Sequence, residues 1–495
     1  MKANNSSKKV TVIGSGFSGL AAASVLAKSG VSVTVLEKNS QIGGRARIFN
    51  AHGYTFDMGP SWYWMPDIFE KFFSLFGKKA EDYYDLKLLD PGFVIFFGKD
   101  NIMKIPARME GIFELFDQEE PNGAEHLRKF LKEAQLKYNL AVDELIYLPS
   151  QSLFEYVNLT ILRNLPSLDV YNSFRSHVRK YFTNPRLLKL IEFPVLFLGA
   201  TSKEIPALYS LMNYAAFNLG TWYPMGGFSS ITNGMVQMAQ EMGVHFKTDE
   251  AVKKIVVADG KANSVVTNNS TYHADGIIGS SDYVHTEKLL NEEYRNYSSS
   301  YWDKRILAPS CLIFYIGVNK KIASLYHHNL FFMEDLDIHS DAIYKNPRWP
   351  EAPLFYVCCP SKTDPNIAPV GHENIFILMP LAPGIHDEEA IREKYFNIIM
   401  DKLEEVIGES FREDIDYKRS YCVSDYIKDY NSYKGNAYGL ANTLRQTAFM
   451  RPSIRNKKVK NLFYAGPLTV PGPGVPPALI SGQIAANQLL KNLDI

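Results

Sequence analysis

Gly14-Ser-Gly16-Phe-Ser-Gly19 follows directly on the β-branched run Val10-Thr-Val-Ile13, and Glu37 lies eighteen residues beyond the last of these glycines. This spacing suits phosphate chemistry. The first glycine permits a tight turn, the second lets backbone N–H groups approach a pyrophosphate, and the third lets a helix pack closely on its strand. The start of that helix adds partial positive charge. A carboxylate at Glu37 accepts hydrogen bonds from ribose hydroxyls, and an acid there disfavours a 2′-phosphate. To be held in place, these residues need a strand at 10–13, a glycine turn, a helix over 20–28 stopped by Ser29-Gly30, and a strand over 31–36. A bare glycine motif reads equally well as a tight strand–helix turn. With both strands, the helix and the terminal acid in order, it predicts dinucleotide binding. Gln41-Ile-Gly43-Gly44-Arg45-Ala46 then sets a cation and open backbone beside the same pyrophosphate.

This Gly-Gly-Arg resembles the signature of the glutathione-reductase-like flavoproteins, which include amine oxidases and carotenoid desaturases, and so implies FAD rather than NAD. Further segments are similar to the bacterial-type carotenoid desaturases, the phytoene desaturase group. They include Gly53-Tyr-Thr-Phe-Asp57-Met-Gly59-Pro60-Ser61, Gly220-Thr-Trp222-Tyr223-Pro224-Met-Gly226-Gly227 and Ala274-Asp275-Gly-Ile-Ile-Gly-Ser280-Ser281-Asp282. Pro309-Ser310 with Phe314-Tyr-Ile-Gly317, and Leu444-Arg-Gln446-Thr-Ala-Phe-Met-Arg451-Pro452, also fit. The resemblance runs in order from residue 9 to about 490. It implies that FAD is held by Gly14, Gly16, Phe17, Ser18, Gly19, Glu37, Lys38, Gly44, Arg45, Gly59, Pro60, Ser61, Val252, Gly466, Gly474 and Val475.

The chain departs from the family pattern near its end. Tyr464-Ala-Gly466-Pro-Leu-Thr-Val-Pro471-Gly472-Pro473-Gly474-Val475-Pro476-Pro477 replaces the Gly-Ala-Gly-Thr-His-Pro-Gly-Ala-Gly-Ile-Pro-Gly type of close. The Pro-Gly-x-Gly-Val-Pro form also occurs in relatives acting on hydroxylated carotenoids. It tilts the expected activity from phytoene desaturation towards 3,4-desaturation of a 1-hydroxycarotenoid. Pro476 and Pro477 suit a first helical turn, where a missing N–H costs nothing, and residues 478–490 continue as a helix. In the family, this helix start points at the flavin pyrimidine.

Taking hydrogen from a carotene means breaking a C–H bond with no heteroatom to anchor it. Specificity must then come from shape and a water-excluding apolar channel, so few polar catalytic residues are expected. The 11 His show no metal-ligand spacing, and no Gly-x-Ser-x-Gly elbow occurs, so no metal is expected. A carboxylate that the family places early in its helical insertion falls on Glu155, implying a proton acceptor; the alternative is an ordinary surface glutamate. His327-His328 reads as a loop or structural pair. Competing readings on the same scaffold are a carotenoid isomerase or ketolase, an amine oxidase, and a non-catalytic isoprenoid carrier like the Rab GDP-dissociation inhibitors.

Around these motifs the expected fold is α/β, α+β overall. A Rossmann-like FAD-binding domain of the glutathione-reductase/amine-oxidase type comprises residues 1–70, 225–290 and 455–495. A β-sheet substrate domain takes 71–110 and 291–454, and a helical, membrane-contacting domain takes 111–224. Helices are expected over 66–76 and 229–243, with a long one through 146 opened by a capping box at Asn122-Gly-Ala-Glu125. A hairpin is expected at 252–257 and 264–266, with sheet strands at 312–316 and 375–378. Leu159-Thr-Ile-Leu-Arg163-Asn-Leu165-Pro166, with Arg175, Arg179 and Lys180, mixes apolar and basic residues as a bilayer-lying surface would.

With 495 residues and 46% hydrophobic content, the chain has ample length for several cores. Its 53 basic and 53 acidic residues cancel, which argues against nucleic acid as a partner. Four cysteines without Cys-x-x-Cys spacing point to a reduced compartment. No apolar run approaches the ~20 residues of a spanning helix. A cytoplasmic, peripheral-membrane protein that draws a C40 carotenoid from lipid is expected, with oxygen and a quinone both open as electron acceptors.

Overall fold

The run Val10-Thr-Val-Ile13 becomes the central strand of a five-stranded parallel sheet in the computed structural model, which describes residues 8–156, 169, 171–199, 201–443 and 445–495. Across this sheet the order is Leu462–Tyr464, Gly276–Gly279, Lys9–Ile13, Ser32–Leu36 and His245–Lys247. Val10, Val12, Val33 and Val35 are all buried, as expected for parallel strands covered on both faces. Helices Phe17–Lys28 and Val475–Asn492 cover one face, with helix Phe228–Glu241 packed on the first of them. On the other face Ile13, Leu36, Ile277 and Leu462 share a core with Val252, Ile255 and Val265 of a separate small sheet. Sequence-distant pieces thus meet in one sheet. The expected hairpin gains a third strand, giving Val252–Ala258, Lys261–Thr267 and Thr271–His273.

A second, seven-stranded sheet runs in the order Ile415–Tyr421, Ser310–Val318, Glu373–Leu381, Phe355–Cys358, His328–Phe331, Phe93–Gly98 and Asn101–Ile105. Its pairings are antiparallel except that of His328–Phe331 with Phe93–Gly98. Ser310–Val318 is buried at every position. Alternation divides its side chains. Leu312, Phe314 and Ile316 share a core with Phe396, Ile399 and Leu403 of helix Glu389–Ile407, while Cys311, Ile313 and Tyr315 join the core on the other face.

The helical region departs from expectation in three ways. Asn122 does not cap: its backbone is left-handed (φ 58°) and its side chain makes no capping bond. The Ala124 N–H donates instead to the Asp117 carboxylate at 2.8 Å, so an acid from the preceding helix, Met109–Glu119, does the capping. The long helix Gly123–Leu140 ends in a π-helical turn over Ala141–Leu145. Beyond it the described helices are short: Phe174–Val178, Pro185–Glu192 and Leu211–Phe217. The apolar–basic segment 159–166 lies outside the described residues. Arg175 is bound to the Asp337 carboxylate by two hydrogen bonds of 2.8 and 2.6 Å, and Arg179 pairs with Glu192. Both cations are thus paired with acids of the chain itself, Arg179 while still partly exposed. Among the described residues, no helix is long and apolar enough to cross a membrane.

Candidate functional site

The glycine turn sits at the C-terminal edge of the parallel sheet. Gly14 adopts φ 99°, and a Cβ on Gly19 would meet the Gly14 carbonyl oxygen at 2.0 Å, so strand and helix approach as only glycine allows. Glu37 is buried at the end of the second strand. One of its oxygens accepts from the Ser15 N–H (3.1 Å) and Ser15 Oγ (2.6 Å); the other accepts from the Asn39 N–H (2.9 Å) and Nδ2 (3.0 Å). Four donors thus fix the carboxylate at the cavity wall.

Gly44 comes so near Gly16 that its Cβ would meet the Gly16 Cα at 3.0 Å, closing the turn with bare backbone. Arg45 donates to Ser432 Oγ (3.3 Å) and the Asn436 carbonyl (3.2 Å), and its guanidinium lies 5.3 Å from the centre of the Tyr430 ring. Its Nε is enclosed without a hydrogen-bond partner. Such an unpaired buried donor fits a bound anion. The cradle of open backbone, the orphaned guanidinium nitrogen and the oriented carboxylate together fit a flavin dinucleotide.

One cavity of about 720 Å³ is lined by most of the expected residues: Gly14, Gly16, Phe17, Ser18, Glu37, Lys38, Gly44, Arg45, Gly59, Pro60, Ser61, Val252, Gly474 and Val475. Gly19 and Gly466 stand behind the lining. Gly19 packs on the Gly14 backbone, and the Gly466 N–H donates to Ser481 Oγ at 2.9 Å, tying the C-terminal loop to its helix. Glu155 does not line the cavity. It sits in the short turn Leu153–Tyr156, accepts from the Gln151 N–H at 3.1 Å, and has its other oxygen enclosed without a partner. The geometry gives it a local turn-holding contact rather than access to the cavity.

The same cavity continues into an apolar arm walled by Trp62, Phe193, Met212, Leu330, Phe332 and Leu378. Polar side chains along the arm are mostly committed. Tyr356 OH donates to Ser61 Oγ (3.1 Å) and lies 2.6 Å from His328 Nδ1. His339 bridges the Pro380 carbonyl and the Leu354 N–H, each at 2.9 Å, and burial lowers its pKa to about 4. Burial pushes the Cys311 thiol up to about 12, which leaves no thiolate nucleophile there. His327 and His328 are buried, His328 stacked on Trp62 at 4.2 Å and His327 beside Tyr223 at 4.7 Å, in the manner of a structural pair.

Several site residues carry no advance signal. Ser15 and Asn39, which hold Glu37, sit at unspecified positions beside the motif residues. Helix Leu336–Tyr344 presents Leu336, His339, Ser340, Ile343 and Tyr344 to the cavity, a spacing that reads as ordinary core packing until the fold places it.

The chain matches the family described as flavin containing amine oxidoreductase over residues 17–490. It is 39% identical over 490 residues to a carotenoid 3,4-desaturase of Haloarcula japonica, covering 99% of both chains. It is 29% identical over 500 residues to a zeta-carotene-forming phytoene desaturase of Myxococcus xanthus, covering 99% of this chain and 95% of that one. Among solved structures, putrescine oxidase bound to putrescine superposes with a TM-score of 0.62 at 15% identity, covering 98% of this chain and 99% of the other.

Proposed function

The chain belongs to the flavin containing amine oxidoreductase family, within its bacterial carotenoid desaturases, and from that premise we propose that it introduces the 3,4 double bond into a 1-hydroxylated acyclic C40 carotenoid. It is an FAD-dependent oxidoreductase. Bound FAD supplies a two-electron acceptor that takes hydrogen as hydride. The observation that carries the reading is the single cavity in which the Glu37–Arg45 cradle opens directly into an apolar arm.

The residues of the chain bind, orient and exclude water. Glu37, Gly16 and Arg45 hold the nucleotide half. Trp62, Phe193, Leu330 and Phe332 give a polyene an apolar wall, each buried contact contributing at about 25 cal/mol per Å². Loss of two hydrogens leaves a proton to be released as well as the hydride transferred, and no ionised residue of the arm is needed to anchor a hydrocarbon.

The substrate is drawn from lipid by a cytoplasmic enzyme bound at the membrane surface. Supporting this, Phe154 and Tyr171 are 85% and 87% exposed and flank the segment 157–168, and Phe449 and Met450 are also exposed. The Tyr156 ring lies 6.4 Å from that of Phe449, so part of this apolar surface is continuous. All four cysteines are buried and unpaired, which suits a reduced compartment.

The test is to give FAD-loaded protein phytoene, lycopene and 1-hydroxylycopene in liposomes, in air and anaerobically with a quinone, and to analyse products by chromatography and absorbance. A red-shifted product two hydrogens lighter, formed from 1-hydroxylycopene alone, supports the 3,4-desaturase. Stepwise coloured products from phytoene make it a phytoene desaturase instead. Co-sedimentation with phosphatidylcholine vesicles supports the membrane reading, and protein left wholly in the supernatant overturns it.

A further inference from the structure

The reaction proposed above sets a geometric demand. In a 1-hydroxycarotenoid, the oxygen on C1 is three bonds from C3, on the order of 4 Å away. Whatever recognises that hydroxyl must therefore stand beside the reacting carbons, not at the far end of the arm. It must also be a neutral donor or acceptor that the protein has left unpaired.

Apart from Tyr430 OH, whose ring is held against the Arg45 guanidinium of the cofactor cradle, three hydroxyls on the cavity wall meet the second condition: Ser340 Oγ, Tyr344 OH and Tyr438 OH. None has a hydrogen-bond partner among the described residues. This contrasts with the committed side chains of Tyr356 and His339 on the same wall. Burial holds both phenols well above their ordinary range, so each carries its proton. Ser340 and Tyr344 lie four residues apart on helix Leu336–Tyr344 and share its inner face.

Tyr438 meets the first condition. The Ala437 N–H donates to the Pro309 carbonyl (3.1 Å), the Ala308 N–H to the Gly439 carbonyl (2.9 Å), and the Leu440 N–H to the Pro467 carbonyl (3.2 Å). Tyr438 is thereby pinned between the lead-in to strand Ser310–Val318 and the C-terminal loop, which line the same cavity and of which the loop runs on to Gly474 and Val475, two of the expected cofactor-binding residues.

We propose that Tyr438, with Tyr344 and Ser340, forms a hydroxyl-binding subsite that takes the tertiary alcohol of the substrate and fixes which carbon–carbon bond lies against the cofactor. The inference rests on the hydroxycarotenoid reading and adds the residues that enforce it. A site that hydrogen-bonds a substrate hydroxyl rejects the analogue lacking it, because its own polar groups are then left buried and unpaired.

The experiment compares kcat/KM for 1-hydroxylycopene and lycopene in phosphatidylcholine vesicles, for wild type and for Y438F, Y344F and S340A, with flavin absorbance recorded for each protein. The expected result is a wild-type preference for the hydroxylated substrate, with the ratio of the two kcat/KM values falling about tenfold or more in Y438F and in Y344F. Should Y438F fail to load FAD, the ratios for Y344F and S340A decide. Flavin-loaded variants whose ratios stay within about twofold of a discriminating wild type overturn the subsite and leave the hydroxycarotenoid reading standing. A wild type with no preference overturns both.

Discussion

Gly482 lies so close to Ser18 that a Cβ placed on it would meet the Ser18 carbonyl oxygen at 2.0 Å. The C-terminal helix thereby presses directly on the helix that opens with the glycine motif. Both helices begin at the cofactor cradle, one after Gly16 and the other after Gly474, so this contact sets the distance between their two N-termini. Gly482→Ala must push backbone against backbone. We expect a loss of about 1–3 kcal/mol, read by thermal unfolding, and weaker FAD retention on gel filtration. Unchanged unfolding and flavin content would show that the helices separate freely.

Arg451 is buried with no carboxylate partner among the described residues. Its guanidinium donates to the carbonyls of Thr469 (2.7 Å), Pro467 (2.8 Å), Gln446 (3.1 Å) and Leu440 (3.2 Å), and to Asn442 Oδ1 (2.8 Å). One side chain thus clamps the C-terminal loop to the segment carrying Tyr438, and burial lowers its pKa to about 10. Arg451→Lys keeps the charge and loses the fork, leaving carbonyls unmet. A destabilisation on the order of 2–4 kcal/mol and loss of turnover are expected by denaturant titration and product assay. Lysine supporting wild-type activity would refute the clamp.

Glu37 gathers four donors from Ser15 and Asn39. Glu37→Ala removes the ribose acceptor and leaves those donors buried and unpaired. FAD affinity, measured by titrating the apoprotein and following flavin fluorescence, should fall by about 10–100-fold. A Kd unchanged from wild type would mean that Glu37 serves only the loop.

Asp57 accepts the Phe228 N–H at 2.9 Å at the start of helix Phe228–Glu241, a contact that favours the carboxylate, yet burial outweighs it and raises the pKa from 3.8 to about 7. Between those two values the folded chain holds a proton that the unfolded chain has released. The contribution of this group to stability therefore falls as pH rises and is lost above about 7. Asp57→Asn mimics the protonated form. Its stability relative to wild type should improve by on the order of 2 kcal/mol from pH 5 to pH 7 and level off beyond, as followed by urea unfolding. A difference that does not change with pH would place the Asp57 pKa in the ordinary carboxylate range.

Glu155 holds its own turn and does not line the cavity. Glu155→Gln should keep at least half of the wild-type turnover with FAD bound. A tenfold loss in the flavin-loaded variant would restore it as a proton acceptor.

The nucleotide half of the site was legible from Gly14, Gly16, Gly19, Glu37 and Arg45 because its chemistry is local. A turn, a helix start and the acid ending the next strand are close in the chain, and each demands a particular residue type. The same holds for the all-buried strands and for the proline-opened helix Val475–Asn492. The Asn122 cap failed for a related reason: the pattern was present, but the chain enters that helix through a left-handed residue, and Asp117 supplies the acceptor. The substrate half was not legible. Ser340, Tyr344 and Tyr438 stand at unremarkable positions, and their hydroxyls matter because the fold brings them to one cavity wall with no partner among the described residues. Backbone geometry and phosphate binding are written in short stretches of residues. The shape of an apolar channel, and which polar atoms are left unpaired within it, arise only when segments hundreds of residues apart pack against one another.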